Sequence, residues 1–150
     1  MLNEIFVRDD IDEWRDFLLL YKFALDEMNT KLMILNEEFM LIHSYNPIEH
    51  IKSRIKTPKS INEKLIRKGY KPCLENARNH IYDIAGIRII TSFTSDIYQL
   101  SELICKQNGL KIIEIKDYIK KPKSNGYRSL HLLLQVPVYL SDRVEYLNLE

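Results

Sequence analysis

The sequence has 150 residues, of which 45% are hydrophobic and 29% are charged, and its formal net charge is +1 at pH 7. These values predict one soluble globular domain and argue against a strongly basic nucleic-acid binder. No apolar run approaches the roughly 20 residues of a membrane span, and the first ten residues lack the pattern of a signal peptide. Cys73 and Cys105 have neither metal nor redox spacing, so we expect free thiols and a cytoplasmic location.

The charges are distributed unevenly along the chain. Residues 1–50 carry 4 Lys/Arg and 11 Asp/Glu, whereas residues 51–71 carry eight basic residues and one acidic residue. A second basic cluster covers residues 111–131. A charge run is most often a solvated surface, but two basic clusters in one domain favour a shared polyanionic ligand.

Residues 10 to about 44 are predicted to be helical, within an N-terminal helical segment of residues 1–46. Asn29-Thr30 allows a division into two helices, and Asn46-Pro47 ends the segment because the residue before proline disfavours helix. Apolar residues at spacings of three and four form a stripe, which predicts core packing or a subunit contact. The stripe consists of Ile11, Trp14, Leu18, Tyr21, Leu25, Met28, Leu32, Leu35, Phe39 and Ile42.

A second helix is predicted from Ser60 to Gly69. The capping box Ser60-Ile-Asn-Glu63 begins it, and the glycine is a natural stop. Before it, an extended segment would direct Arg54 and Lys56 to the same side.

The remainder of the chain predicts strands around one more helix. The first strand is predicted to be buried, and Arg88 lies inside it. A buried cation needs a partner, so we expect one for Arg88. The succession predicts an α+β domain, with α/β as the alternative, and a mixed sheet of about four to five strands flanked by helices. The predicted strands are 84–93, 110–115, 129–136 and 144–149, the helix is 95–107, and a basic loop covers 116–127.

The segment from Lys116 to His131 holds four lysines, one arginine and one histidine around an Asn-Gly turn, which Tyr127 follows directly. Cations bind phosphates, and an exposed tyrosine ring can stack on a base. The segment therefore predicts a site for a phosphorylated purine nucleotide. A turn whose ring packs back on the sheet is the plainer alternative.

Asp83 lies at the mouth of the first strand, where a carboxylate is well placed to hold Mg²⁺ beside bound phosphates. An aspartate that caps a backbone amide is the alternative. Glycine-rich phosphate loops and the His-Asp, His-Glu-x-x-His and Gly-x-Ser-x-Gly motifs are absent from the sequence. Their absence argues against metal phosphohydrolases, zinc proteases and serine hydrolases.

Five motifs follow one another along the chain: Arg54-Ile-Lys56, Ser60 to Lys64, Asp83-Ile-Ala-Gly-Ile-Arg88, Asp117-Tyr-Ile-Lys120 and Lys123-Ser-Asn-Gly-Tyr-Arg-Ser-Leu-His131. As an ordered set they resemble the synthetase domain of the RelA/SpoT family, and most closely its stand-alone small alarmone synthetases. The resemblance covers residues 47–150 and implies a nucleotidyltransferase-like fold within one structural domain. It also implies transfer of the β,γ-pyrophosphate of ATP to the 3′-hydroxyl of GDP or GTP, with Mg²⁺ as cofactor.

The resemblance implies a role for each matching residue. Asp83 and Glu150 would be catalytic and hold Mg²⁺, and Glu150 would prepare the 3′-hydroxyl for attack. Tyr127 would stack on guanine. ATP would be bound by Arg54, Lys56, Ser60, Lys64, Arg67 and Arg88, with Lys68 as the alternative to Arg67, and the guanine nucleotide by Lys116, Lys120, Lys123, Asn125, Tyr127, Arg128 and His131.

In the family, a Gln-x-Arg-Thr segment and further helices follow the position of Glu150, so we expect this sequence to be a fragment of a longer protein, with a truncated relative as the alternative. The resemblance implies a homo-oligomer, a tetramer in full-length relatives, and allows an allosteric alarmone or single-stranded RNA as a further ligand. Two other functions remain open. One is a nucleotide- or RNA-binding module without turnover, and the other is a protein that only oligomerises through the stripe of residues 11–42.

Overall fold

The computed structural model describes residues 8–150, with side chains from residue 11 onward. The first residues, on which the expectation of no signal peptide rests, lie outside this part. Within it, none of the helices has the length and apolar character needed to cross a membrane. The elements are α1 (Arg8–His43), β1 (Ile48–Ile55), α2 (Pro58–Arg67), α3 (Leu74–His80), β2 (Ala85–Thr91), α4 (Thr94–Cys105), β3 (Lys111–Asp117), β4 (Leu130–Tyr139) and β5 (Val144–Leu149).

Helix α1 is continuous over 36 residues, which confirms the predicted helix and excludes the division that Asn29-Thr30 allowed. The Thr30 hydroxyl donates to the carbonyl of Asp26 (2.9 Å), and the Asn29 amide donates to Ser53 Oγ in β1 (2.9 Å). Both side chains therefore find partners without interrupting the helix.

The apolar stripe of α1 packs on the sheet, as predicted. Its middle, from Trp14 to Phe39, is buried or half-buried, whereas Ile11 and Ile42 at its two ends are exposed. Opposite it lie buried side chains of β4 and β5, namely Leu134, Val136, Val138, Leu147 and Leu149. Because side chains alternate along a strand, the residues between these point to the other face of the sheet.

The five strands form two antiparallel sheets, β1-β2 and β3-β4-β5. The Ile87 N–H donates to the carbonyl of Glu150 (2.8 Å), and the Glu150 N–H donates to the carbonyl of Ala85 (3.2 Å). This parallel bridge joins the sheets in the order β1-β2-β5-β4-β3. At the bridge a Cβ on Gly86 would lie 3.3 Å from the Glu150 carbonyl oxygen, which explains a glycine there. The predicted mixed sheet in an α+β fold is confirmed.

Helix α2 begins at Pro58, so the predicted start and capping box at Ser60 are wrong. Thr57 is the cap, and its hydroxyl accepts a hydrogen bond from the Ser60 N–H (3.2 Å). Thr57 followed by Pro58 provides both the capping oxygen and a residue preset for the first helical position. Gly69 follows the helix at φ +84°, so the predicted stop is confirmed.

Strand β2 is shorter and less buried than predicted. Arg88 is exposed, so the expectation that it lies in a strand core is wrong. The reason is that β2 meets β5 only at Glu150, which leaves the residues after Gly86 beside a cavity instead of a neighbouring strand. Cys73 and Cys105 are free thiols, as predicted.

An ion-pair cluster ties α3 to the edge of β5 that has no neighbouring strand along most of its length. Arg78 donates to Glu145 Oε2 (2.6 Å) and to the carbonyl of Tyr146 (3.4 Å), while Arg143 donates to Glu145 Oε1 (2.9 Å). The hydrogen bond from Arg78, followed by that from Arg143, lowers the pKa of Glu145.

Replacing Glu145 with glutamine should make the stability of the fold less dependent on pH in the acidic range. A lowered folded-state pKa means that ionised Glu145 stabilises the fold above the ordinary glutamate range, and that this contribution disappears as pH falls through the lowered pKa. Thermal unfolding measured between about pH 7 and about pH 3 tests this role. The unfolding temperature of wild type should exceed that of Glu145→Gln near neutral pH, and this difference should become smaller as the pH falls. A difference that is constant across this range would contradict the role of the cluster.

Candidate functional site

A cavity of about 370 Å³ lies between β2 and β4, next to the point where Glu150 bridges β5 to β2. Its floor is apolar and comes from α1, α4 and the strands. A second cavity of about 150 Å³ shares Asp83, His131 and Glu150 with the first, so the two form one continuous groove. Eight predicted site residues line this groove: Arg54, Lys64, Asp83, Arg88, Lys116, Tyr127, His131 and Glu150.

Asp83 is held between two lysines from different elements. Lys64 on α2 donates to Asp83 Oδ1 at 2.8 Å, and Lys56 Nζ lies 3.4 Å from Oδ2. The Lys56 backbone N–H also donates to the carbonyl of Ile84 (2.7 Å), which fixes the segment after β1 beside the start of β2. Burial alone would raise the pKa of Asp83, but Lys64 and then Lys56 outweigh it and leave the pKa below its ordinary value. The carboxylate is therefore ionised at neutral pH.

Glu150 lies across the groove from this cluster and is held by its backbone bonds to β2. Its Oε1 lies 3.7 Å from Nδ1 of His131, and its side chain is 45% exposed. Both carboxylates, Asp83 and Glu150, line both cavities. The two carboxylates therefore face a common space, which can hold a cation and a polar group of a ligand.

Carboxylate oxygens suit a hard cation such as Mg²⁺. Among residues 11–150, no group of three or more His, Cys, Asp or Glu side chains is arranged to hold a metal by itself. Mg²⁺ usually keeps waters and takes one or two carboxylates together with substrate phosphates, and the two groove carboxylates fit that pattern.

The β3–β4 loop, residues 118–129, places an aromatic ring at the mouth of the groove. Asn125 Oδ1 accepts from the Tyr127 N–H (3.0 Å), and Gly126 has φ +83°, so the Asn-Gly turn is confirmed. The Tyr127 ring is 41% exposed, and its hydroxyl lies 3.5 Å from Nε2 of His131. Lys123 Nζ lies 5.5 Å from the centre of this ring. The loop begins later than predicted because β3 extends to residue 117.

The remaining predicted residues lie around the groove instead of lining it. Lys120 extends over the ring of Tyr98, 5.7 Å from its centre, and Lys123 lies 4.7 Å from the centre of the Tyr118 ring. Lys56 contacts the groove only through Asp83. The predicted residues outside the lining are Lys56, Ser60, Arg67, Lys120, Lys123, Asn125 and Arg128.

Sequence reasoning missed Lys52, which lines the groove together with Arg54. The two residues are two apart in β1, where strand alternation directs them to the same side. The extended segment predicted before α2 was used only for Arg54 and Lys56, although the same alternation also directs Lys52 to that side.

Comparison with known proteins identifies the family of the chain. Residues 53–147 match the family model described as "Region found in RelA / SpoT proteins". The chain is 51% identical to GTP pyrophosphokinase YwaC of Bacillus subtilis over 140 residues, which is 93% of this chain and 67% of that protein. The chain thus spans about two thirds of this relative's length.

Two solved structures from Bacillus subtilis have the same fold. Small alarmone synthetase 2 matches with a TM-score of 0.79 and 49% identity, covering 91% of this chain and 69% of that one. Small alarmone synthetase 1 bound to its product pppGpp matches with a TM-score of 0.81 and 30% identity, over the same shares of the two chains. The family match and these similarities confirm the resemblance carried by the five sequence motifs, and the chain belongs to the RelA/SpoT family.

Proposed function

We propose that this protein transfers the β,γ-pyrophosphate of ATP to the 3′-hydroxyl of GDP or GTP, which yields AMP and guanosine tetra- or pentaphosphate. The observation that carries the proposal is the groove, in which two carboxylates, several lysines and an exposed tyrosine meet. In-line phosphoryl transfer depends mainly on positioning and charge neutralisation, for which these groups are suited. The 51% identity to a GTP pyrophosphokinase supports the same reaction and disfavours a binding module without turnover.

The donor half of the groove is formed by β1, α2 and β2. Arg54 and Arg88 line the larger cavity, and their planar guanidinium groups can stack on either side of adenine. Lys64 on α2 and Lys68, the C-terminal cap of this helix, line the smaller cavity and face the same side because they are one turn apart. With Lys56 they would bind the ATP phosphates. Ser60 and Arg67, on the same helix, would assist from outside the lining.

Asp83 and Glu150 would hold Mg²⁺, which when bound neutralises phosphate charge and stabilises the displacement. In the structure, both oxygens of Asp83 contact lysines. Phosphate oxygens offer these lysines an alternative acceptor of higher charge, so ATP binding would free the carboxylate for its catalytic role.

The acceptor half is formed by β3, β4 and the β3–β4 loop. Tyr127 would stack on guanine. Glu150 would accept the proton of the 3′-hydroxyl, a contribution typically worth ~10²–10⁴-fold in rate. His131 would orient the Glu150 carboxylate, which it contacts. The phosphates of GDP or GTP would be bound by the basic and polar residues around the ring: Lys116, Lys120, Lys123, Asn125, Arg128 and His131.

Tyr127→Ala should weaken GDP binding by about 5- to 150-fold, since base stacking on an aromatic side chain is worth roughly 1–3 kcal/mol. ATP binding should stay unchanged, because the donor half lies on other elements. Titration calorimetry with each nucleotide measures both affinities. Tyr127→Phe should keep GDP affinity, and Tyr139→Ala, at an exposed ring near the far end of β4, should change neither. Equal loss of ATP and GDP binding would contradict the assignment.

The proposed reaction belongs in the cytoplasm, where ATP, guanine nucleotides and Mg²⁺ are present and thiols stay reduced. Exposed apolar side chains on α1, including Met33, Ile34 and Leu41, support a homo-oligomer. An allosteric alarmone or single-stranded RNA ligand stays a prediction.

Incubation of the purified protein with ATP, GDP and Mg²⁺, followed by anion-exchange separation of the nucleotides, tests the function. Equal amounts of AMP and guanosine tetraphosphate are expected. Binding of both nucleotides without product would instead favour the non-catalytic alternative.

A further inference from the structure

Tyr98 on α4 and Asp117 at the end of β3 form contacts that the proposed reaction does not use. The Tyr98 hydroxyl donates to Oδ2 of Asp117 at 2.9 Å. Oδ1 of the same carboxylate accepts from the backbone N–H groups of Ile119 and Lys120, each at 2.9 Å. Both oxygens of Asp117 therefore fix the first turn of the β3–β4 loop onto α4.

This anchor reaches the far end of the loop through backbone hydrogen bonds. The Tyr118 N–H donates to the carbonyl of Ser129 (2.8 Å), which closes the base of the loop. The Lys123 N–H donates to the carbonyl of Tyr127 (3.2 Å), which closes its tip. These hydrogen bonds connect the anchor at Asp117 to the turn that presents the Tyr127 ring.

The loop needs such an anchor because its own charges repel one another. It carries three lysines and one arginine, and Asp117, directly before it, is the acidic residue closest in sequence. The backbone hydrogen bond from Lys120, aided by the Tyr98 hydroxyl, lowers the pKa of Asp117 although burial opposes it. The carboxylate is therefore ionised at neutral pH and offsets part of the repulsion.

We propose that Tyr98 and Asp117 are positioning residues that preorganise the β3–β4 loop and thereby set the affinity for the guanine nucleotide. A loop already held in its binding conformation loses less conformational entropy when the ligand binds. This inference rests on the proposed function, in which the loop is the acceptor half of the groove. It assigns a role to Tyr98, which lies outside the five motifs.

The chain offers a matched control for a purely structural role. The Tyr45 hydroxyl donates to Oδ1 of Asp96 at 2.6 Å, so a second tyrosine–aspartate pair also ties α4 to its surroundings. Asp96 is buried at the N-terminal end of α4, where its other carboxylate oxygen accepts from the Phe93 N–H at 3.2 Å. Tyr45→Phe and Tyr98→Phe thus each remove one tyrosine hydroxyl that donates to an aspartate in a contact made by α4, and only the second hydroxyl belongs to the loop anchor.

The experiment compares Tyr98→Phe, Asp117→Ala, Asp117→Asn and Tyr45→Phe by titration with GDP and with ATP. Tyr98→Phe should weaken GDP binding about three- to tenfold, and Asp117→Ala about tenfold or more, without changing ATP binding. Asp117→Asn should restore part of the affinity, because its amide oxygen still accepts from the two loop N–H groups. Tyr45→Phe should lower the unfolding temperature and leave both affinities unchanged.

Hydrogen exchange of residues 118–129 gives a readout that needs no ligand, and exchange there should be faster in Tyr98→Phe and Asp117→Ala than in wild type. Wild-type GDP affinity in these two variants, or an equal loss of ATP affinity, would overturn the inference. If wild type itself binds no GDP, the proposed function fails separately, and the exchange measurement still decides whether the anchor orders the loop.

Discussion

Asp83→Asn should reduce pyrophosphate transfer by about 10²- to 10⁴-fold, the range expected for a carboxylate that supports metal binding and charge stabilisation at the reacting centre. The substitution keeps the shape of the side chain and removes its charge. Lys56 and Lys64 then lose the carboxylate that competes with phosphates for their ammonium groups, so ATP affinity should be kept or increased. Initial rates of AMP formation and ATP titrations measure the two effects separately.

Asp142→Asn is the matched control for Asp83→Asn. Asp142 also pairs with a basic residue, Arg143 at 3.0 Å, but its side chain is 71% exposed and lies outside the groove. Its substitution should leave transfer unchanged. Transfer by a folded Asp83→Asn protein within about twofold of wild type would contradict a catalytic role for Asp83.

Lys64→Met should weaken ATP binding by about 10- to 150-fold, because a hydrogen bond to a charged group contributes roughly 1.5–3 kcal/mol. The same substitution removes the shorter of the two contacts to Asp83 and leaves that carboxylate less neutralised. Binding of Mn²⁺ in the absence of nucleotide, followed by electron paramagnetic resonance, should therefore become stronger while ATP binding becomes weaker.

Lys59→Met provides the comparison for Lys64→Met, since Lys59 is an exposed lysine near the start of the same helix and does not line the groove. It should change neither Mn²⁺ nor ATP binding. If Lys64→Met weakened the binding of both Mn²⁺ and ATP, the lysine would be shown to support the fold of the site. That result would rule out competition between Asp83 and the ATP phosphates for Lys64.

The parts of the fold that sequence reasoning predicted well are those with an uninterrupted period. Strand β5 alternates from Val144 to Leu149 and was predicted with its observed bounds, and α1 follows from its long apolar stripe. Only the end of β1 was predicted as extended and the whole was not recognised as a strand, because its apolar residues, Ile48, Ile51 and Ile55, recur at the spacing of a helix. Helix α3 was missed because seven residues are too few to show a period.

In the candidate site, features that depend on neighbouring residues were predicted from the sequence, and contacts between distant residues were not. The Asn-Gly turn that presents Tyr127 is encoded within a few residues, so the sequence predicted it. The pairing of Asp83 with Lys64 joins residues 19 apart, and the sequence offers no local sign of it. The Tyr98–Asp117 contact likewise depends on how α4 packs beside β3. Such contacts become visible only once the strands and helices are assembled.

The most direct measurement uses ATP labelled with different isotopes in its β- and γ-phosphates, incubated with the protein, GDP and Mg²⁺. Transfer of pyrophosphate as one unit predicts that both labels appear in guanosine tetraphosphate in equal amounts, while AMP carries neither. Appearance of the γ label alone in a product, with ADP carrying the β label, would contradict pyrophosphate transfer.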